Sequence, residues 1–253
     1  MRCTSLLVTL AISGGLIAAA PAHHYSLNKH VKHVRPSLDE VKESFHKAHI
    51  VPDVLSEFEP SSLLYLTYTS DSFKHKNSEI VLPGKKFAKD ATSSPPELSF
   101  EGPGWPGTFV FLLVDPDAPS RSNPKWSQVR HMFVGNLTID GDSKHVPGSI
   151  VLSSSSSPVN DYMPPAPPPG SGFHRYVALL YAQPPDFDYS FLNTSNRFEF
   201  NVAKFSKKAG LGAPLAGTFL KVKVKDDDDD VHWLPAMKNI WSYWRQVALK
   251  ILF

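Results

Sequence analysis

The sequence predicts a β-rich α+β domain, on three observations. Short apolar runs with strand-like patterning recur from residue 62 to residue 225. Helical patterns stand early and late, with no regular βα alternation between the strands. The 23 prolines in 253 residues favour rigid loops over a helical bundle. With 42% hydrophobic residues the chain can bury one sizeable core.

The first 22 residues, MRCTSLLVTLAISGGLIAAAPA, carry Arg2, an apolar stretch from Leu6 to Ala20, and small residues at Ala20 and Ala22. This is the layout of a secretory signal peptide and is short for a membrane span. Cleavage is expected after Ala22, since a cut after Ala20 would place Pro21 at the scissile bond. The only cysteine, Cys3, lies in that segment. The secreted chain would thus have no disulfide, thiol nucleophile or thiolate metal site. Residues 23–36, HHYSLNKHVKHVRP, read as a basic, His-rich flexible leader. A free amine at His23 beside His24 would make only an adventitious copper chelate.

Ser37 and Glu40 have capping-box spacing, and Leu38, Val41, Phe45 and Ala48 recur at helical intervals, with Pro52 expected to end the helix. SLLYLTYTS then alternates Leu64, Leu66 and Tyr68 against Leu63, Tyr65 and Thr67, as a strand does. SEIVLPG is a second short strand, and residues 93–107 are thick with turn residues. TFVFLLVDPD is apolar on both faces and predicts a central, covered strand. VRHMFVGNLTID is a strand closed by Asp140 and Gly141. Residues 149–172, with a serine run and a proline run, read as irregular, and FHRYVALLYAQPP is another central strand. NRFEFNVAKFSKKAGLG is expected to be helical as far as Gly210, a C′ glycine. PLAGTFLKVKVK sets Leu220, Val222 and Val224 against Lys221, Lys223 and Lys225, predicting a half-exposed strand.

Residues 226–230 are five aspartates, expected as a solvated linker. The tail to residue 253 places Trp233, Met237, Trp244 and Ile251 on one helical stripe, with Lys238, Arg245 and Lys250 towards the polar side. Such a helix either docks on the domain or contacts a membrane surface or partner. Its cations interrupt the apolar tail that a glycolipid-anchor signal needs. The net charge of +2 and the lack of a Lys/Arg cluster interleaved with aromatics give no support for nucleic-acid binding.

The chemistry gathers where the apolar run FVFLLV gives way to DPDAPSRSNPKWSQVRH, residues 115–131. Asp115 and Asp117 are two apart, so a continuing strand would point both the same way. His131 opens the next apolar segment. His174 and Tyr176 share a face in HRYVALLY, with Arg175 on the other. PPAPPPGSG just before them would hold the chain stiffly and then bend it sharply.

These two blocks resemble the phosphatidylethanolamine-binding protein family. DPDAPSR…NP with a following histidine forms one, and YMPPAPPPGSGFHRYVALLYAQ the other. AHIVPDVLSEFEPSSLLYLTY resembles the entry segment of its fungal-like branch, and the likeness spans about residues 45–225. The resemblance implies a large central β-sheet, a smaller sheet and flanking helices. It also implies a small pocket for a phosphate-type anion such as a phospholipid head group, without catalysis and without a cofactor. Carried over by position, Asp115, Asp117, His131, Pro168, Gly170, His174 and Tyr176 line that pocket, with Tyr162 at the rim. Val129 and Arg130 depart from the pattern, where many relatives have an aromatic residue and a histidine. A second activity in the family is inhibition of a serine carboxypeptidase, with the leader and tail as natural contacts.

A hydrolase is the competing class: Ser171, His174 and Asp115 are the residue types of a triad, but PGSGFH lacks the G-x-S-x-G setting. If His131 and His174 donate to a phosphate, affinity should rise as they protonate near an ordinary value of about 6.5. For a monoester, its own second ionisation near about 6 opposes this. Two glycosylation sequons occur: Asn193 in an expected loop, and Asn136 near a strand end where access is poor.

Overall fold

The computed structural model describes residues 35–70, 78–103 and 107–224. The expected signal segment, nearly all of the leader, and the acidic run with its amphipathic tail lie outside the described residues.

Helix α1, Leu38–Lys47, begins with the anticipated box: Ser37 Oγ accepts from the Glu40 N–H at 3.1 Å, and the Glu40 carboxylate accepts from the Ser37 N–H at 2.7 Å. Ser37→Ala should cost about 1 kcal/mol in urea unfolding, and Ser37→Asp should keep most of it. The helix stops before Pro52 rather than at it. Val51, preceding the proline, is extended (φ −99°, ψ 113°), as the proline ring requires. The chain reverses at His49, in the left-handed region, and adds a short turn, α2, Ile50–Asp53.

The strands are β1 (Leu63–Thr69), β2 (Ser78–Ile80), β3 (Lys85–Phe87), β4 (Glu97–Glu101), β5 (Phe109–Asp115), β6 (Val129–Asp142), β7 (Ile150–Ser153), β8 (His174–Ala182) and β9 (Ala216–Val222). They form one nine-stranded sheet in the order β2-β1-β4-β7-β6-β5-β8-β9-β3, antiparallel except for β3 with β9. The long β6 pairs with β5 through its first part and with β7 through its last, joining the two halves of the curled sheet. The ends curl together: the Ser61 and Ser62 N–H groups donate to the Leu215 carbonyl, and that of Gly84 to the Phe219 carbonyl.

Three strand expectations need correction. β4 lies inside the turn-rich stretch 93–107, and β7 inside the stretch read as irregular. Both are short and take their pairing from neighbours rather than from their own pattern. β6 also continues through Asp140 and Gly141 to Asp142.

Helix α3 is shorter than expected, Val202–Lys208, capped by Asn201, whose Oδ1 accepts from the Lys204 N–H at 2.8 Å. Gly210 (φ +68°) closes it: the Leu211 N–H donates to Ser206 and that of Gly210 to Lys207, satisfying its last carbonyls.

Strands β5 and β8 are covered on both faces, as their continuous apolar runs require. Val110, Leu112, Val114, Val177, Leu179 and Tyr181 face a core shared with α1 and α3. Phe109, Phe111, Leu113, Tyr176, Ala178 and Leu180 face a second core inside the curl. Phe45 of α1 pins the first: it stacks on Phe58 at 4.1 Å and meets Phe219 edge-on at 5.6 Å.

Candidate ligand site: a buried Asp–His–Tyr cluster

Three neighbouring strands deliver the cluster. Asp115 ends β5, His174 and Tyr176 open β8, and His131 lies near the start of β6. Alternation alone would not put His131 with them. The β5–β6 register slips between Leu113, paired with Met132, and Val114, paired with Arg130. The extra residue is His131, and this bulge re-aims it. Arg130 therefore points to the helical side, its guanidinium 4.8 Å from the Phe200 ring centre, while His131 meets Tyr176 edge-on at 4.9 Å.

The His174 Nδ1 lies 2.8 Å from Asp115 Oδ2. A carboxylate only accepts, so that nitrogen carries a proton, and in the neutral ring Nε2 is left with a lone pair. Nε2 lies 2.9 Å from Ser171 Oγ, which is also 2.6 Å from the Pro168 carbonyl. The other Asp115 oxygen accepts from the Asp117 N–H at 2.7 Å, fixing the carboxylate's orientation. His131 Nδ1 donates to the Met163 carbonyl at 2.7 Å, so its Nε2 is the nitrogen left for a ligand. The Tyr176 hydroxyl accepts from the Ala166 N–H and keeps its own proton to give.

Asp115, His131, His174 and Tyr176 are each 5% exposed or less. Both imidazoles share one aromatic neighbour. The Tyr176 ring packs against both, lying near-parallel to His174 at 6.5 Å. Two clefts, of about 240 and 340 Å³, lie elsewhere, one along β4, β6 and β7 and the other beside Pro184 and Gly210. Exposed Ala166, Gly170 and Gly172 border the cluster.

Asp117 leaves this group. It follows the end of β5 in a turn, so strand alternation does not carry over to it. Its carboxylate takes the Arg175 side chain as a fork: Nη2 donates to Oδ1 at 2.6 Å, and Nε to Oδ2 at 2.9 Å. The Arg175 N–H also donates to Oδ2. Nη1 of Arg175 reaches the Ala48 carbonyl at 2.7 Å and Asp53 at 2.8 Å, tying the end of α1 to the sheet. Asp117 is thus part of the fold's anchoring rather than a partner for a ligand.

Tyr162 spends its hydroxyl on the Thr92 carbonyl at 2.7 Å, with the Tyr68 hydroxyl 3.2 Å away. Pro168 and Gly170 act through the backbone: the Pro168 carbonyl receives the Ser171 N–H and hydroxyl, and Gly170 makes the bend at φ +74°. Asn193 is exposed in a loop, where its Oδ1 accepts from the Ser195 and Asn196 N–H groups. Asn136 sits within β6 at φ 54°, its exposed amide paired with Gln183.

Burial pushes the His131 imidazole below its ordinary value; Asp115 and the Met163 carbonyl pull the other way, and Arg197 and His174 reinforce the lowering. Burial likewise raises the Tyr176 phenol well above its usual range. At neutral pH His131 is therefore an uncharged ring whose Nε2 accepts rather than donates.

Comparison with known proteins agrees with the fold. The family described as phosphatidylethanolamine-binding protein matches residues 69–220. The carboxypeptidase Y inhibitor of Saccharomyces cerevisiae is 30% identical over 210 residues, covering 76% of this chain and 90% of that protein. A crystal structure of carboxypeptidase Y inhibitor with its cognate proteinase superposes with TM-score 0.61 at 26% identity, over 74% of this chain and 97% of the other. Phosphatidylethanolamine-binding protein from Plasmodium vivax shares the fold at TM-score 0.54 and 16% identity, over 73% and 98% of the two chains.

Proposed function

The chain belongs to the phosphatidylethanolamine-binding protein family, and on that footing we propose that it is a secreted, non-enzymatic regulatory protein that binds a phosphate-type anion, such as a phospholipid head group. The observation that carries this reading is the convergence of Asp115, His131, His174 and Tyr176 from three strands beneath a glycine-bounded loop. The Tyr176 hydroxyl donates to a phosphate oxygen at any physiological pH. His131 Nε2 donates only once the ring is protonated, and Asp115 keeps His174 oriented. The loop of residues 164–172 borders the cluster, with Ser171 against His174.

The pH dependence follows from the sign of the His131 shift. A ligand that favours the protonated ring binds more tightly as pH falls through the folded-state pKa. Burial has lowered that value, so the rise belongs below the ordinary histidine range of about 6.5 rather than at it. Calorimetric titration with a phosphodiester from neutral to mildly acid pH should show affinity climbing below that range. A profile unchanged by His131→Gln would refute the assignment.

The second reading, inhibition of a serine carboxypeptidase, is favoured by the likeness to the yeast inhibitor over 90% of that protein's length. Titrating purified carboxypeptidase Y with the chain should give stoichiometric inhibition that added phosphodiester does not relieve, if the two surfaces are separate. Undiminished peptidase activity at a large excess of the chain would remove this reading.

A further inference from the structure

We propose that Ser171 is an activated nucleophile that takes a covalent adduct from activated acyl or phosphoryl esters. The sequence offers the three residue types without the nucleophile elbow, and the structure brings them within hydrogen-bond distance of one another. Asp115 Oδ2, His174 Nδ1, His174 Nε2 and Ser171 Oγ form one chain at 2.8 and 2.9 Å. Asp115 holds the proton on Nδ1, so the neutral ring turns its Nε2 lone pair to the hydroxyl. Its second oxygen is held by the Asp117 N–H, so the carboxylate cannot swing away.

The surroundings divide as a nucleophilic site requires. Asp115 and His174 are buried at 3% and 1% exposure, while Ser171 is half-buried between the exposed Gly170 and Gly172. Both glycines are left-handed, φ +74° and +80°, and a Cβ at either would have nothing within 4 Å, so an ester has room to approach.

The hydroxyl has one proton and two acceptors, His174 Nε2 and the Pro168 carbonyl at 2.6 Å. When the rotor turns to Nε2, Oγ attacks the carbonyl carbon or phosphorus and the new O–C or O–P bond forms. The proton passes to Nε2, and Asp115 stabilises the resulting imidazolium. The bond to the leaving group breaks, and an alkoxide takes the proton from Nε2 and departs as the alcohol. With a fluorophosphonate, fluoride departs and the proton passes to solvent. The product is a Ser171 ester.

Incubating the full chain with a fluorophosphonate, followed by tandem mass spectrometry, tests this. The expected result is a single adduct on Ser171, formed at least about 100-fold faster than on urea-denatured chain, the contribution of a positioned general base. Labelling is lost in Ser171→Ala and falls comparably in His174→Gln. No adduct on the folded wild-type chain, an adduct elsewhere, or equal labelling of folded and denatured chain would overturn it. Phosphodiester calorimetry on the same sample separates this result from the anion-binding reading, which needs no covalent step.

Discussion

Replacing Arg175 with alanine should cost about 3–5 kcal/mol of stability, because it strands the Asp117 carboxylate in the interior. Asp117 is 1% exposed and takes two side-chain donors and one backbone donor from Arg175. The same guanidinium caps α1 through the Ala48 carbonyl and pairs with Asp53, so its loss also loosens α1 and α2 from the sheet. Urea unfolding of Arg175→Ala measures the loss. The double variant with Asp117→Ala should recover part of it, since no buried charge then lacks a partner. A cost below about 1 kcal/mol, the worth of an exposed pair, would mean that solvent reaches the site.

Replacing His131 with alanine should weaken binding of a phosphodiester about 10- to 100-fold in mildly acid buffer, the equivalent of a charge-assisted hydrogen bond of about 1.5–3 kcal/mol. At neutral pH the difference should shrink, because burial keeps the ring uncharged there. His131→Gln separates the two contributions of the ring. It can still donate through its amide but cannot gain charge, so it should remove the pH dependence more completely than the affinity. The Met163 N–H bond to the His131 carbonyl is a backbone contact and remains in both variants.

Much of this was legible in the sequence because it is local. The Ser37 box, the Gly210 end of α3 and the two-faced apolar runs of β5 and β8 each follow from a few adjacent residues. His174 and Tyr176 share a face because they sit two apart at regular strand positions, while their meeting with Asp115 is what the family resemblance implies. The bulge beside Arg130 was not legible, since an inserted residue leaves no mark on an already apolar stretch; yet it decides where His131 points. Asp117 was misplaced by extending strand alternation through Pro116 into a turn. Its partner, Arg175, stands opposite the face of His174 and Tyr176, where it binds Asp117 and ties the end of α1 to the sheet. Strands β4 and β7 were hidden because prolines, glycines and serines around them outweigh four or five residues of pattern.

The central claim is that β5, β6 and β8 bring Asp115, His131, His174 and Tyr176 into one site that answers to a phosphate-type ligand. Nitrogen NMR of the imidazoles during titration with phosphorylethanolamine tests it most directly. The account predicts saturable shifts at His131 Nε2 and His174, while His145, beside Glu97 and Ser78, stays still. Resonances of His131 and His174 that do not move at saturating ligand, or that move only as much as that of His145, would contradict it.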